Sequence, residues 1–216
     1  MSKKVLELFA GSRSIGKVAE SLGYEVFSVD WENYDGIDLS IDIESLTPKQ
    51  IPFIPDIIWA SPDCTTYTIS AISTHRNGVE PKSSYAIKCD SVNKSFIRLI
   101  KYYLVVNPLM VFFIENPRGM LRHMDFMQDF TRYTVWYCQY GDDRAKPTDI
   151  FTNSKTWIPR PMCRNYKYDE QGAVINKHCH HQSARRGART GTQGRGNSYE
   201  ASKIPEQLCL EILKSI

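Results

Sequence analysis

A cysteine and a carboxylate stand out by where they fall in the chain. Cys64 lies in Ala60-Ser61-Pro62-Asp63-Cys64-Thr65-Thr66-Tyr67, a polar, proline-stiffened loop that follows the apolar run Ile57 to Ala60. Most lone cysteines are small buried apolar residues. One presented on such a loop is instead placed to act as a nucleophile, with a pKa its surroundings can lower. Glu115 opens Glu115-Asn116-Pro117 after a second apolar run, Val111 to Ile114. A thiol that adds to an electrophile and an acid that handles the proton would then share one pocket.

Both apolar runs have the length and composition of buried parallel strands, and so do Val5 to Phe9 and Glu25 to Val29. Ile15, Val18, Ala19 and Leu22 recur at the i, i+3, i+4, i+7 spacing of one helix face, and Gly23 ends that helix. A second helix is predicted from about Tyr85 to Leu104, late strands over Thr131 to Gln139 and Asp149 to Phe151, and a closing helix over Pro205 to Ile216. Strands alternating with helices predict an α/β fold with a doubly wound, mostly parallel sheet, whose ligands bind at the carboxyl ends of the strands. Cys64 and Glu115 both follow such ends.

The remaining loops on that rim suit a nucleoside. The first strand runs into Leu8-Phe9-Ala10-Gly11-Ser12 and opens a helix, so backbone N–H groups face a polar ligand. The second ends in Asp30-Trp31, which offers a carboxylate to a ribose diol and an aromatic face to an adenine. Asp42-Ile43 supplies a further acid.

With 216 residues, 42% of them hydrophobic, the chain has the size of one globular domain with a small appendage. No apolar stretch approaches the roughly 20 residues that span a bilayer, and Met1-Ser2-Lys3-Lys4 leads into a strand rather than a signal-peptide core. A soluble, cytoplasmic protein with reduced thiols and no membrane association is expected. The net charge of +3 is unevenly spread: Arg160 to Lys203 holds nine Lys or Arg against three acids, a balance of +6 that leaves −3 elsewhere. Such a basic region suits a polyanion. Within it, Ser183 to Asn197 has glycines, four arginines and no apolar periodicity, as in a loop that a partner orders. Cys163 and His178-Cys179-His180-His181 offer zinc-type ligands, with Cys163, Cys179 and His180 the foremost set. The spacing has no C-x-x-C pair, so a polar loop without metal is the expectation.

Taken in order, Phe9-Ala10-Gly11, Asp30-Trp31, Asp42-Ile43, Ser61-Pro62-x-Cys64, Glu115-Asn116-Pro117, Tyr140-Gly141 and Ile204-Pro205 resemble the C5-cytosine-specific DNA methyltransferase family in its small, phage-like form. The match spans nearly the whole chain, and the Cys loop with Glu-Asn-Pro, each after a strand, is its specific part. The resemblance implies a Rossmann-like fold that uses S-adenosyl-L-methionine and acts on a cytosine flipped out of DNA, in a bacterial host or phage-infected cell. It implies that Cys64 adds to cytosine C6, that Glu115 assists at N3, and that the cofactor lies against Phe9, Ala10, Gly11, Ser12, Asp30, Trp31, Asp42, Ile43 and Pro62. Residues 1–152 would be the catalytic domain, 153–199 a reduced target-recognition segment, and 200–216 a returning helix.

The chain departs from the family pattern at several points. Ser12-Arg13-Ser14 replaces further glycines, and Asp63 replaces the proline before the nucleophile, where its charge would raise the thiol pKa unless it points away. Asp142-Asp143-Arg144-Ala145-Lys146 stands where a basic group near cytosine O2 is expected, with Arg144 preferred over Lys146 for its donor fork. Arg185, Arg186, Arg189 and Arg195 are the expected phosphate contacts. An RNA cytosine methyltransferase and a catalytically silent DNA-binding relative are the alternative readings. An oxidoreductase ranks last, since the first turn lacks G-x-G-x-x-G.

Overall fold

A computed structural model describes residues 2–163, 166–168, 170–171, 174–177, 179, 181 and 198–216. Seven strands form one sheet: β1 (Lys4–Leu8), β2 (Glu25–Asp30), β3 (Leu39–Ser40), β4 (Ile57–Ala60), β5 (Val111–Pro117), β6 (Thr131–Trp136) and β7 (Pro147–Thr152). Their spatial order is β3-β2-β1-β4-β5-β7-β6. The first five run parallel, and β7 lies antiparallel between β5 and β6. Leu8 pairs with Val29 and Ala60, and Ala60 with Ile114, so the loops after β1, β2, β4 and β5 leave from one rim. The chain order reverses between β1 and β4, which is where doubly wound sheets open a crevice.

Helices cover both faces, which is why these strands read as continuous apolar runs rather than alternating ones. On one face, α2 (Ser84–Val106) lays Phe96, Ile97, Ile100 and Tyr103 against Leu6, Leu8 and Ile58. Ser83 caps this helix by accepting from the Ala86 N–H. On the other, α1 (Ser14–Ser21) and the closing helix α4 (Glu206–Lys214) pack Ile15, Val18, Leu208 and Ile212 against Val5, Ile57, Trp59 and Phe113. A short helix, α3 (Ser198–Ser202), precedes α4, and an antiparallel ribbon joins β8 (Tyr166–Tyr168) to β9 (Val174–Lys177). Among the described residues, no helix is long and apolar enough to cross a membrane.

The structure differs from the sequence expectation at two places that matter for the site. β5 continues through Asn116 and Pro117, because β7 pairs alongside them at Asp149 and Thr148. The late strand expected to reach Gln139 stops at Trp136, and Tyr137–Tyr140 coils into a 3-10 turn closed by Gly141 at φ 88°. That left-handed angle favours glycine.

Candidate active site

The Cys64 loop and the end of β5 are fastened to each other. Asn116 donates from Nδ2 to the Pro62 carbonyl at 2.9 Å, deep in the interior. After β5 the chain passes so close to the Cys loop that a Cβ on Gly119 would sit 2.3 Å from the Tyr67 carbonyl oxygen, so only glycine fits there. Cys64 caps a 3-10 turn, Thr65–Tyr67, and its carbonyl accepts from the Tyr67 and Thr68 N–H groups at 2.9 and 3.0 Å. The turn is anchored below by buried polar groups: the Tyr67 hydroxyl donates to Asp90 at 2.6 Å, and the same carboxylate holds Arg76 in a buried ion pair.

Glu115 is 5% exposed, and its Oε1 accepts from the buried Tyr137 hydroxyl at 2.8 Å. The Lys146 ammonium lies 4.0 Å from the same oxygen. Cys64, Glu115 and Lys146 line one cavity of about 860 Å³, together with Phe9, Ala10, Gly11, Ser12 and Pro62. Burial pushes the half-buried Cys64 thiol up to about 11, against the pull of Lys146 and with a further push from Glu115 and Asp63. The lowered thiol pKa expected from the loop is therefore reversed, chiefly by desolvation. Asp63 points away in part, accepting from the Thr65 N–H at 2.6 Å and from the Tyr85 hydroxyl. Burial also pulls the Lys146 ammonium down, while Glu115 holds it up.

Arg144, preferred from the sequence as the basic group of the site, does not line this cavity. Its buried guanidinium forks onto Asp142 and donates to the Ala201 and Lys203 carbonyls at 2.8 and 3.2 Å. The two adjacent acids that precede it supply a partner that holds it inward, and Lys146, two residues on, reaches the cleft instead.

The cofactor residues expected from the sequence gather along a second cavity of about 650 Å³, lined by Asp30, Trp31, Asp42 and Ile43. It shares Phe9, Gly11, Pro62 and Asp63 with the first, so the two form one cleft. Asp30 accepts from the Gly11 and Glu32 N–H groups at 2.9 and 3.0 Å, and burial pushes its carboxyl up. Trp31 is 69% exposed on the rim. Asp42 takes the Lys88 ammonium at 2.8 Å, which holds its carboxyl below the usual range. Phe9 sits at φ 56° and Gly11 at φ 48°. An aromatic residue held in the left-handed region stores about 1 kcal/mol or more of strain at the turn. A nucleoside with a charged amino-acid tail fits this cleft: ligand sites typically span about 300–1,000 Å³, and the space beside Gly11 is open.

Two contributors escaped the sequence reading. Glu7, inside β1, accepts from the Ile15 and Gly16 N–H groups at 3.1 Å and from the Ser28 hydroxyl at 2.9 Å, so it caps α1 from beneath. An acid within Val5-Leu6-Glu7-Leu8 was the available signal. Tyr137 was assigned to a strand and so went unnoticed. At the far end of the chain, the Ile204 N–H donates to Ser14 Oγ at 3.2 Å, which joins the Ile204-Pro205 segment to the cofactor turn.

Arg185, Arg186, Arg189, Arg195 and His180 lie outside the described residues. Cys163 and Cys179 do converge, but with Cys138 and His181.

The sheet, with its antiparallel strand inserted next to the edge, defines a Rossmann-like, doubly wound α/β fold. No protein-family model and no curated protein matches the chain. Among solved structures it is similar to the S. pombe Dnmt2 methyltransferase, at 15% identity over 70% of this chain and 49% of that one, with a TM-score of 0.49. It is also similar to a mutant of Spodoptera frugiperda DNMT2, at 20% identity over 74% and 53% of the two chains, with a TM-score of 0.48. The chain spans about half the length of each.

Proposed function

We propose that the chain transfers a methyl group from S-adenosyl-L-methionine to C5 of cytosine in DNA, with Cys64 as the covalent nucleophile. The observation that carries this reading is the facing of Cys64, Glu115 and Lys146 into one cavity that continues to Asp30 and Trp31. Bound between Phe9-to-Ser12 and Asp30, the cofactor supplies an electrophilic methyl on its sulfonium.

Cytosine C5 is a weak nucleophile, so the ring must first be activated. Cys64 adds as a thiolate to C6, and the displaced ring electrons gather at C5 and N3. Glu115, oriented by the Tyr137 hydroxyl, meets N3 and stabilises the adduct, a form of assistance worth about 10²- to 10⁴-fold. C5 would then take the methyl, leaving the cofactor's sulfur as a neutral thioether; solvent water would accept the C5 proton, and the freed C–H electrons would expel the Cys64 thiolate as the ring regains aromaticity. Lys146 favours the thiolate and occupies the basic position beside the pyrimidine. Extruding the base costs a few kcal/mol. Residues 1–152 form the catalytic part, 153–199 the reduced nucleic-acid-binding segment carrying Arg185, Arg186, Arg189 and Arg195, and 200–216 the returning helix.

The test incubates the protein and Cys64→Ala with methyl-labelled cofactor, offering duplex DNA and tRNA separately, and digests each to nucleosides. Label in 5-methyldeoxycytidine that vanishes with the variant supports the reading. Label confined to RNA overturns the choice of DNA. Cofactor binding without transfer to either overturns the enzyme.

A further inference from the structure

Cys138, Cys163, Cys179 and His181 come from three separate stretches of chain, yet their ligand atoms all lie within 4.8 Å of one another. Cys138 sits in the turn after β6, Cys163 in the segment before the ribbon, and Cys179 and His181 just past β9. Cys138, Cys179 and His181 are buried and Cys163 half-buried. From these observations we propose that the four residues form a structural zinc site that fastens the β8–β9 ribbon to the catalytic body.

The Cys163–His181 spacing is the one zinc requires. A tetrahedron with Zn–S bonds of about 2.3 Å and a Zn–N bond of about 2.1 Å separates sulfur from nitrogen by about 3.6 Å and two sulfurs by about 3.8 Å. Cys163 Sγ and His181 Nδ1 are 3.6 Å apart. Three thiolates and one imidazole leave no open coordination position, which is the composition of a structural rather than a catalytic centre. Gln139 Nε2 approaches both Cys138 Sγ and Cys179 Sγ at 4.0 Å, and the Arg160 guanidinium steadies Gln139 by donating to its carbonyl at 2.6 Å. An amide donor beside the sulfurs stabilises the negative charge of a three-thiolate site.

The fold gives such a site a purpose. The ribbon has strands of three and four residues, and two short strands alone do not hold together in water. Segments too small for a hydrophobic core commonly rely on a metal, whose binding energy becomes folding energy. Cys64 lies outside the cluster, so the two kinds of cysteine chemistry are separable.

The full-length protein, purified without chelator or affinity metal, is analysed by elemental mass spectrometry and then reloaded with Co²⁺. One zinc per chain, and a cobalt form with thiolate charge-transfer and tetrahedral visible bands, are expected. Cys179→Ser should lower zinc to about a tenth of an equivalent or less, His181→Cys should retain it as a four-thiolate site, and Cys64→Ser should leave it unchanged. Removing the metal should speed proteolysis within residues 160–197 while the sheet stays folded by circular dichroism. Metal-free protein that binds no cobalt, a disulfide among the three cysteines, or zinc content indifferent to Cys179→Ser each overturns the proposal. None of these readouts depends on methyl transfer.

Discussion

The cleft and the Cys138 cluster solve the same problem, holding reactive groups a few ångströms apart, by opposite means. In the cleft, the functional residues sit at or beside strand ends, with Asp30 closing β2, Cys64 in the loop after β4, Glu115 near the end of β5 and Lys146 just before β7, and the sheet does the positioning: Leu6, Leu8, Ile58 and Ile114 are fully buried, and their register aligns the loops that follow. In the cluster, four side chains converge from three separate stretches of chain. The first kind of site borrows rigidity from a hydrophobic core. The second must supply its own, through the ligands.

The sharpest way to probe the cleft side of this contrast is Glu115→Gln. The amide preserves shape and can still accept from Tyr137, but it cannot deliver a proton, so the turnover rate should fall by about 10²- to 10⁴-fold while cofactor affinity holds. A loss under threefold would remove Glu115 from the chemistry. Next in size is the paired comparison of Arg144→Met and Lys146→Met. Arg144 and Asp142 form a buried ion pair, and removing one partner from such a pair costs about 3–5 kcal/mol, so Arg144→Met should show as a lower denaturation midpoint. Lys146→Met should instead spare stability and lose transfer, because that ammonium is desolvated and faces the cavity. Equal stability losses in both would place Lys146 in the scaffold as well.

How much of this was legible follows from the same contrast. The strands through Leu8, Asp30, Ala60 and Ile114 announced themselves because a sheet covered on both faces needs apolar runs, and the loops beyond them were then forced onto one rim. Arg144 and Lys146 are two residues apart, and no local pattern says which turns inward; the pairing with Asp142 decided it. The Cys138 cluster was hidden for a related reason. Its turn reads as the continuation of β6, and the break after Trp136 that swings Cys138 inward depends on tertiary packing of Tyr137 and Tyr140 rather than on propensity.

Cys64 allows a smaller test of what the core imposes on the cleft. A thiol pushed up to about 11 has roughly a hundredfold less thiolate at pH 8 than one at the ordinary value of 9, so alkylation of Cys64 in the free protein should be about a hundredfold slow. Its rate should climb about tenfold per pH unit to pH 10, as followed by peptide mass spectrometry. A plateau near pH 8 would mean that Lys146 outweighs burial.

Glu7 marks where the two strategies meet, since it is a charged group used to brace a turn from inside the hydrophobic sheet. Burial raises its carboxyl to about 7 from 4.5, although the Gly16, Ser28, Arg13 and Ile15 contacts all pull it down. A carboxyl with a raised folded pKa favours the folded state only while protonated. Its contribution is therefore complete below about pH 4.5, declines as pH rises from there, and is gone above about 7. Glu7→Gln keeps the acceptor for the Ile15 and Gly16 N–H groups and never ionises. Its stability relative to the parent should improve by about 2 kcal/mol between pH 5 and pH 8, measured by urea denaturation at both. A difference that stays constant across that range would mean Glu7 is ionised throughout, with Arg13 and its three hydrogen bonds outweighing burial, and the turn would then be braced by charge rather than by a neutral acid.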